Sequence, residues 1–571
     1  MFLGEWCFRF PEDFEIARRA DIAAYPWAPA ETRIKGLQFC QDLTRRLVSG
    51  LAPFFSKLLK TKLNERETML LLGSTLGILV QTAHHHFVCL EQAIAQHGPL
   101  SSSGLQRTDY LIPETTSALL GQLYRDGLQH QVFSDLCPQL GVSLTLYSRD
   151  ELAAALATAP GHTRPPLNSE SILSRWMRRV ARSMLGIVSW QARCVLYNSN
   201  HSSLEALELS VRSNFRIAML PLVKLDSVSW PLPSAELRQE FASRIAGTLD
   251  STPFEKALCR ILEGAWPISL LEGLDILKAV VETQFPPRPK TIASGMAWVG
   301  DDAFKLWCVR SLRRGSRLVS TQHGGDYGLC HTSGASKAIE YAVCDRFLGW
   351  GGCGAQARSH ATLPVPPHYL VKQVSSNDGP ILYIGTSLPR WPVFIEQVPT
   401  GPMFLDYLDR QIEFFNALRP DLRASLLMRP NPEELGWGIV RRLRQGAPDM
   451  TIDDFSQTFD ERLQAAKLAV VDNANTTFLQ SMGSDVPTIL VWDPDVWVLN
   501  DIAKQYFDEL EAAGVYFRNV EMAAAAVERV WQDPQAWWER QDVSGPVNRF
   551  LNQFFKRDPN WSRSWVNELL S

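Results

Sequence analysis

Residues 317–328 read RLVSTQHGGDYG: an apolar run, Arg317-Leu318-Val319, passes straight into a polar turn with glycine at 324, 325 and 328. A strand that ends in a glycine-bearing loop is the building unit of a parallel α/β sheet, and the unit recurs on both sides of this one. Upstream lie CVLYNSN (194–200), FRIAMLPLV (215–223) and KTIASG (290–295), and downstream YAVCDRFLGWG (341–351). After LPVPPHYLVKQVSSNDGP (363–380), whose prolines and serines read as a linker, a second series begins. It runs through the strand ILYIGTS, the helix FLDYLDRQIEFFNALRP, the strand ASLLMRPNP, the helix EELGWGIVRRLRQ, the strand LAVVDNANT, the helix TTFLQSMGS and the strand VPTILVW. Two α/β halves joined by a linker place a cleft between them, and ligands bind outside the carboxyl ends of such strands. The first 160 residues differ: RIKGLQFCQDLTRRLVSGLAPFFSKLLK and RETMLLLGSTLGILVQTAHHHFVCLEQAIAQ carry apolar residues at helical spacing, a helical front end.

Composition narrows the function. The chain has 571 residues, 45% of them hydrophobic and 21% charged, which gives a soft prior of roughly two to four globular domains. Lys+Arg 57 against Asp+Glu 61 leaves a net charge of -4, with no global footprint for nucleic acid. The ten cysteines are dispersed without a CxxC pair, the pattern of reduced thiols in a cytoplasmic protein. Glu5 stands where a signal peptide needs its apolar region, and no run reaches the ~18 apolar residues of a membrane span. Adjacent His84, His85 and His86 fan out over about 200° of a helix and cannot all face one metal, so they are expected at solvent or at an interface.

The loops after the strands hold the candidate chemistry. Gln322-His323 with Gly324 and Gly325 would expose an imidazole beside free N–H groups, which suits a general base or a phosphate-neutralising donor; the plain alternative is a turn histidine bonded to backbone. Glu340 or Asp345 could reach back to orient His323, or Asp345-Arg346 could end a strand as a surface pair. In the second half, Gly385-Thr386-Ser387 could cradle phosphate oxygens and Arg429 could make bidentate contacts to an anion. Asn475, Thr476 and Thr477 would cap the next helix and turn N–H groups toward the cleft; each loop alone is also an ordinary cap. Asp493 and Asp495 form a D-x-D spacing that could hold a divalent metal or simply make a post-strand turn. Arg175, Arg178, Arg179 and Arg182 make a basic helix face, and the aromatic C-terminal FLNQFFKRDPNWSRSWVNELL allows peripheral membrane contact or ordinary packing.

In combination the motifs resemble a family of bacterial transferases, LIC12162-like, found with surface-carbohydrate genes. They are Leu3-Gly4-Glu5-Trp6-Cys7, Gln322-His323-Gly324-Gly325 with Tyr327-Gly328, Glu340, Asp345-Arg346-Phe347-Leu348 with Trp350-Gly351, Arg429-Pro430, and Asp472 with Asn475-Thr476-Thr477-Phe478-Leu479. More distantly the chain looks like GT-B glycosyltransferases of the Kdo transferase, polysialyltransferase and teichoic-acid glycerophosphotransferase kind. The resemblance implies two Rossmann-like domains facing a cleft, divided as 1–375 with the front end and catalytic loop, 376–545 for the donor, and a helical tail at 546–571. It implies His323 as catalytic base or acid, with Gln322 and the glycines shaping its loop, and Thr476 and Thr477 on the donor phosphate. Arg429 stands where the distant relatives often have a His-Pro motif. The implied substrate is a nucleotide-activated sugar, first of all a CMP-linked ulosonic acid such as CMP-Kdo, passed to a glycan or lipid-linked acceptor without a divalent metal. The rivals are polyol-phosphate transfer from a CDP donor and a non-catalytic nucleotide- or glycan-binding subunit.

Overall fold

A computed structural model describes residues 3–7, 19–151, 188–331, 335–352, 357–372, 378–433 and 435–571. Besides a small parallel pair, β1 (Ser101–Leu105) with β2 (Ser143–Tyr147), the described strands form two six-stranded sheets. The first holds β3 (Cys194–Leu196), β4 (Ile217–Met219), β5 (Thr291–Ser294), β6 (Arg317–Thr321), β7 (Arg346–Gly349) and β8 (His360–Thr362), in the order β4-β3-β5-β6-β7-β8. The second holds β9 (Ile381–Ile384), β10 (Leu426–Arg429), β11 (Thr451–Ile452), β12 (Leu468–Val471), β13 (Thr488–Val491) and β14 (Tyr516–Phe517), in the order β11-β10-β9-β12-β13-β14. Every pairing is parallel. Counted within its own sheet the second order is 3-2-1-4-5-6, that of dinucleotide-binding folds, and the first opens 2-1-3-4-5, as flavodoxin-like folds do. Strand order reverses between β3 and β5 and again between β9 and β12, and the loops leaving those strands open a crevice in each sheet. Two such sheets across a cleft are the GT-B arrangement.

The strands are short and apolar because both faces are covered: β5, β9, β12 and β13 are buried at every position. In the first sheet, Cys194, Leu196, Ile217, Ala293, Val319 and Leu348 face one layer, and Val195, Ala218, Ile292 and Leu318 the other. The first of these layers is closed by the last helix, Trp561–Leu570, which lays Trp561, Trp565 and Leu569 on it, with Trp565 Nε1 donating to Pro364 O at 2.8 Å. Phe550, Leu551, Phe554 and Phe555 are likewise buried. The tail's aromatics therefore pack inside the protein, the packing alternative of the two readings open for them; the basic face at Arg175–Arg182 lies outside the described residues. Among the described residues no helix is long and apolar enough to cross a membrane.

The helices Ala30–Leu58 and Glu65–His97 form the front end, the second starting on an Asn64–Glu67 capping box. They straddle both sheets. Arg33 donates to Asp495 O at 2.8 Å, Arg390 donates to Trp6 O at 3.0 Å and pairs with Asp126, and Gln81 Oε1 accepts from Ile395 N at 3.1 Å. The linker is pinned from both sides: His368 Nδ1 lies 2.8 Å from Glu205, while Val371 N donates to Ser484 Oγ at 2.9 Å. The helix expected over EELGWGIVRRLRQ begins only at Ile439, because Gly436 and Gly438 take positive φ and Trp437 stacks on Phe404.

The three histidines also depart from expectation. Glu65–His97 is the central pillar of the front end and is buried on nearly every side, so His85 and His86 are core residues. His85 Nε2 meets Tyr25 Oη at 2.8 Å and His86 Nε2 meets Gln129 Oε1 at 2.7 Å. Burial lowers His84 and His86 to about 4 and His85 well below its ordinary value. The unfolded chain therefore binds more protons than the native one between pH 6.5 and 4, and stability falls as pH falls through that window, by up to about 1.4 kcal/mol per unit for each histidine. We expect the melting temperature to drop on going from pH 7 to pH 5, with a shallower drop in His86→Gln; equal slopes would place the acid sensitivity elsewhere.

Candidate active site

The cleft between the sheets is a cavity of about 520 Å³ walled by both domains: Met296 and Gly300 after β5, His323–Asp326 after β6 and Lys337 on one side, Leu388, Gln397, Asn475, Thr476 and Trp497 on the other. His323 is carried there by β6. Gln322 N donates to Leu348 O at 2.8 Å, its Nε2 donates to Gly324 O and its Oε1 accepts from Trp350 N, both at 2.8 Å. Gln322 is thus fully used in tying the loop to the exit of β7, a positioning role.

The imidazole has a built partner. His323 Nε2 lies 3.0 Å from Glu340 Oε1 and 2.6 Å from Tyr327 Oη; Tyr327 Oη is 3.0 Å and Ser320 Oγ 3.1 Å from Glu340 Oε2. Glu340 is fully buried, so its charge is met by three donors. Burial, and then the charge of Glu340, hold the Tyr327 phenol well above its ordinary value, so it stays a donor. With Nε2–H donated to Glu340, Nδ1 carries the lone pair, and among the described residues it has no partner. That is the orientation of a general base facing a cleft.

Asp345 is not part of this cluster. It precedes β7, at the entry end of a parallel sheet, whereas His323 follows β6 at the exit end; it accepts from Leu318 N at 2.8 Å and pairs with Arg66 at 2.9 Å. Its expected catalytic place is corrected to a structural one. Lys337, which sequence reading missed, does line the cleft, paired with Asp326 and with its ammonium 4.7 Å from the Tyr327 ring centroid. The signal was there: Lys337 and Glu340 are three residues apart on the helix Ala335–Val343 and share a face.

In the second domain the register pairs Leu468 with Ile381 and Val471 with Ile384, so the loops after β9 and β12 leave the sheet side by side at the reversal point. Asn475 Nδ2 donates across the gap to Thr386 Oγ1 at 3.2 Å. Asn475 therefore does not cap the helix Thr476–Gly483 as expected; no side chain does, so the helix starts uncapped where Asn475 and Thr476 line the cleft. Thr477 Oγ1 and Ser387 Oγ are buried and without a partner among the described residues. An open helix N-terminus with two spare hydroxyls is suited to an anion. Gly385 plays another part: a Cβ there would stand 2.9 Å from Gln411 Nε2 and 3.3 Å from Tyr407 Oη. Those groups serve Asp472, which accepts from Tyr407 Oη at 2.7 Å and from Gln411 Nε2 at 2.6 Å, and burial pushes its carboxyl up to about 6.

Arg429 is corrected as well. Its guanidinium pairs with fully buried Asp453, donates to Gln457 O at 3.3 Å and lies over the Phe455 ring, so it answers a buried charge, with Arg462, instead of facing the cleft. Asp493 pairs with Arg410 at 2.9 Å and accepts from Asp495 N at 2.8 Å, the turn reading of that D-x-D.

The two halves touch where Cys330 bridges Leu499, with His331 N donating to Val498 O at 3.0 Å and Asn500 N to Leu329 O at 2.8 Å, and they meet again beside His323. Gly325 N donates to Thr476 Oγ1 at 3.0 Å, and a Cβ on Gly325 would fall 2.5 Å from Asn475 O and 2.8 Å from Thr476 Cα, whereas one on Gly324 would meet nothing closer than 3.6 Å.

A His–carboxylate pair thus stands against an anion-suited helix end across a two-domain cleft, an arrangement suited to group transfer. The chain belongs to the LIC12162 family of transferases, whose family model matches residues 1–569. No curated relative matches it in sequence. Among solved structures it is similar to an O-GlcNAc transferase mutant from Thermobaculum terrenum at 13% identity, covering 94% of this chain and 98% of that one, with a TM-score of 0.32. It is similar to WaaG, a glycosyltransferase involved in lipopolysaccharide biosynthesis, at 9% identity, covering 66% and 99%, with a TM-score of 0.29. It is also similar to the spinosyn rhamnosyltransferase SpnG complexed with thymidine diphosphate, at 10% identity, covering 83% and 100%, with a TM-score of 0.28. At TM-scores this low the fold rests on strand order, not on the likeness.

Two outcomes follow. Gly325→Ala should lower stability by about 1–3 kcal/mol through backbone overpacking and suppress turnover, while Gly324→Ala is tolerated; equal effects in a melting series would remove the close-contact argument. Because Asp472 holds its proton more tightly folded than unfolded, it costs stability as pH rises from about 4 through 6, up to about 3 kcal/mol. Asp472→Asn should therefore gain stability relative to the parent above pH 6 and lose that gain below pH 4, read as the difference between their denaturation midpoints.

Proposed function

We propose that the chain is a glycosyltransferase that takes a sugar from a nucleotide-activated donor. The observation that carries this is the uncapped Thr476–Gly483 helix, with the spare Thr477 hydroxyl, facing the His323 loop across the Gly325–Thr476 contact. In this reading an acceptor hydroxyl gives its proton to His323 Nδ1 and its oxygen bonds to the donor's anomeric carbon. The bond from that carbon to the nucleotide phosphate oxygen breaks, and the leaving charge is met by the helix N–H groups, Thr477 and the Lys337 ammonium. Those donors need no divalent metal, so chelation is proposed to leave turnover intact. Glu340 keeps the imidazole oriented and stabilises the imidazolium that forms. The proposed donor is a CMP-linked ulosonic acid such as CMP-Kdo, the acceptor a glycan or lipid-linked glycan of the cell surface, and the setting the cytoplasm.

The test is a thermal-shift screen against CMP, CDP, UDP, GDP and dTDP, with and without Mg²⁺, since a ligand of the native state raises the melting temperature. A cytidine nucleotide should stabilise the protein, Thr477→Ala should weaken that shift, and His323→Ala should keep it while turnover falls about 10²–10⁴-fold. Stabilisation by CDP with release of a polyol phosphate points to attack on phosphorus, and retained binding with no turnover in the parent points to a non-catalytic subunit. No shift with any nucleotide rejects the donor site.

A further inference from the structure

A second cavity, of about 630 Å³, opens on the first sheet away from the cleft just described. Its walls are the loop after β3 from Asn198 to Ser203, the loop after β4 from Met219 to Lys224, and the turn carrying His368 and Tyr369. It lies at the carboxyl ends of strands beside the reversal point between β3 and β5, the place where such sheets take ligands, and its size is that of a small-molecule site of about 300–1,000 Å³.

Its chemistry is specific. His368 is held by Glu205, which accepts from its backbone N at 2.7 Å and sits 2.8 Å from its Nδ1. Although its own burial works the other way, the bonds from His368 bring the Glu205 carboxyl down to about 2, so it stays charged and holds the Nδ1 side of the His368 ring. His368 Nε2 is the ring nitrogen with no partner among the described residues. His201, more than nine-tenths buried, also lines the cavity; its Nδ1 meets Ser199 Oγ at 3.1 Å and its Nε2 has no partner among the described residues. Burial lowers this imidazole to about 4, so it is neutral at pH 7. Asn198 and Asn200 hold left-handed backbone, φ 47° and 61°, a local strain typical of functional loops. Imidazole, amide and hydroxyl groups around an apolar floor of Met219, Leu220 and Leu222 match a molecule with many hydroxyls and C–H faces. The lining includes no carboxylate and one cation, Lys224.

The cavity is joined to the reacting centre. Asn200 Nδ2 donates to His323 O at 3.2 Å and lies 3.4 Å from Tyr369 Oη, so one side chain is shared by the cavity wall and the catalytic loop.

We propose that this cavity is a saccharide-binding site that holds the acceptor glycan, with His368 Nε2 and the Asn198 amide engaging its hydroxyls. The assignment rests on the transferase reading for the word acceptor, but saccharide binding is testable without it. The experiment is saturation-transfer NMR on the full chain, with glucose, galactose, mannose, N-acetylglucosamine, glucuronate and their disaccharides at millimolar concentration. It runs alongside a nucleotide titration of the same sample. At least one saccharide should bind, with affinity reduced about tenfold in His368→Ala and blocked in Leu222→Trp, which fills the mouth from an exposed position and so spares folding. Nucleotide binding should be unchanged in both variants. Absence of any saccharide signal, or a signal that survives both variants, overturns the proposal even where nucleotides bind. Saccharide binding without nucleotide binding upholds the cavity and rejects the donor site instead.

Discussion

The absence of a side chain at Gly325 lets the His323 loop of one domain lie directly against the Thr476 helix end of the other. Where its Cβ would be, the backbone of Asn475 and Thr476 passes, and the Gly325 N–H is given to the Thr476 hydroxyl. This brings the loop of the imidazole and the open helix end to one point without a bulky residue between them. The front-end helices then hold that spacing from behind: Arg33, Arg390 and Gln81 each tie a carbonyl, a carboxylate or an N–H of one body to the other. A cleft so braced presents preset groups to its ligand, which is how fixed donors come to outperform solvent.

Each half of the cleft is organised by one buried carboxylate, and the two are solved differently. Glu340 is met by imidazole, phenol and hydroxyl, and directs a ring nitrogen outward. Asp472 is met by a phenol and two amides, and fixes the Gly385 turn from beneath. The first orients an imidazole and the second fixes a loop. Arg429 belongs with the second kind, since the charge it answers is protein charge.

The alternation of apolar runs and polar turns made the strands legible, because a parallel strand buried on both faces must be a short apolar block and its exit must be polar. Strand order is another matter: nothing in ILYI or LAVV says that these two are neighbours, and that pairing creates the crevice. The His323 loop and Glu340 were legible as a pair of residue types, but Asp345 was equally eligible until the direction of β7 put it at the wrong end of the sheet. The histidine triplet was misjudged because a helix buried on every side has no amphipathic stripe to reveal it. Asn475 and Arg429 belong to the right loops but have other partners, since a competing side chain 89 residues away (Thr386) or 24 away (Asp453) cannot be read from local spacing.

The last helix returns from the second domain to close the outer face of the first sheet. During synthesis the strands β3 to β7 leave the ribosome long before Trp561, Trp565 and Leu569 exist, so their apolar face is covered only in part, by Leu209 of the helix Ser203–Arg212, while some two hundred further residues are made. The first domain in sequence is thus the last to be finished, and its completion waits on the second. Such a chain depends on whatever shields nascent apolar surface in the cell more than its two tidy sheets suggest, and a fragment ending at the linker would carry that need permanently.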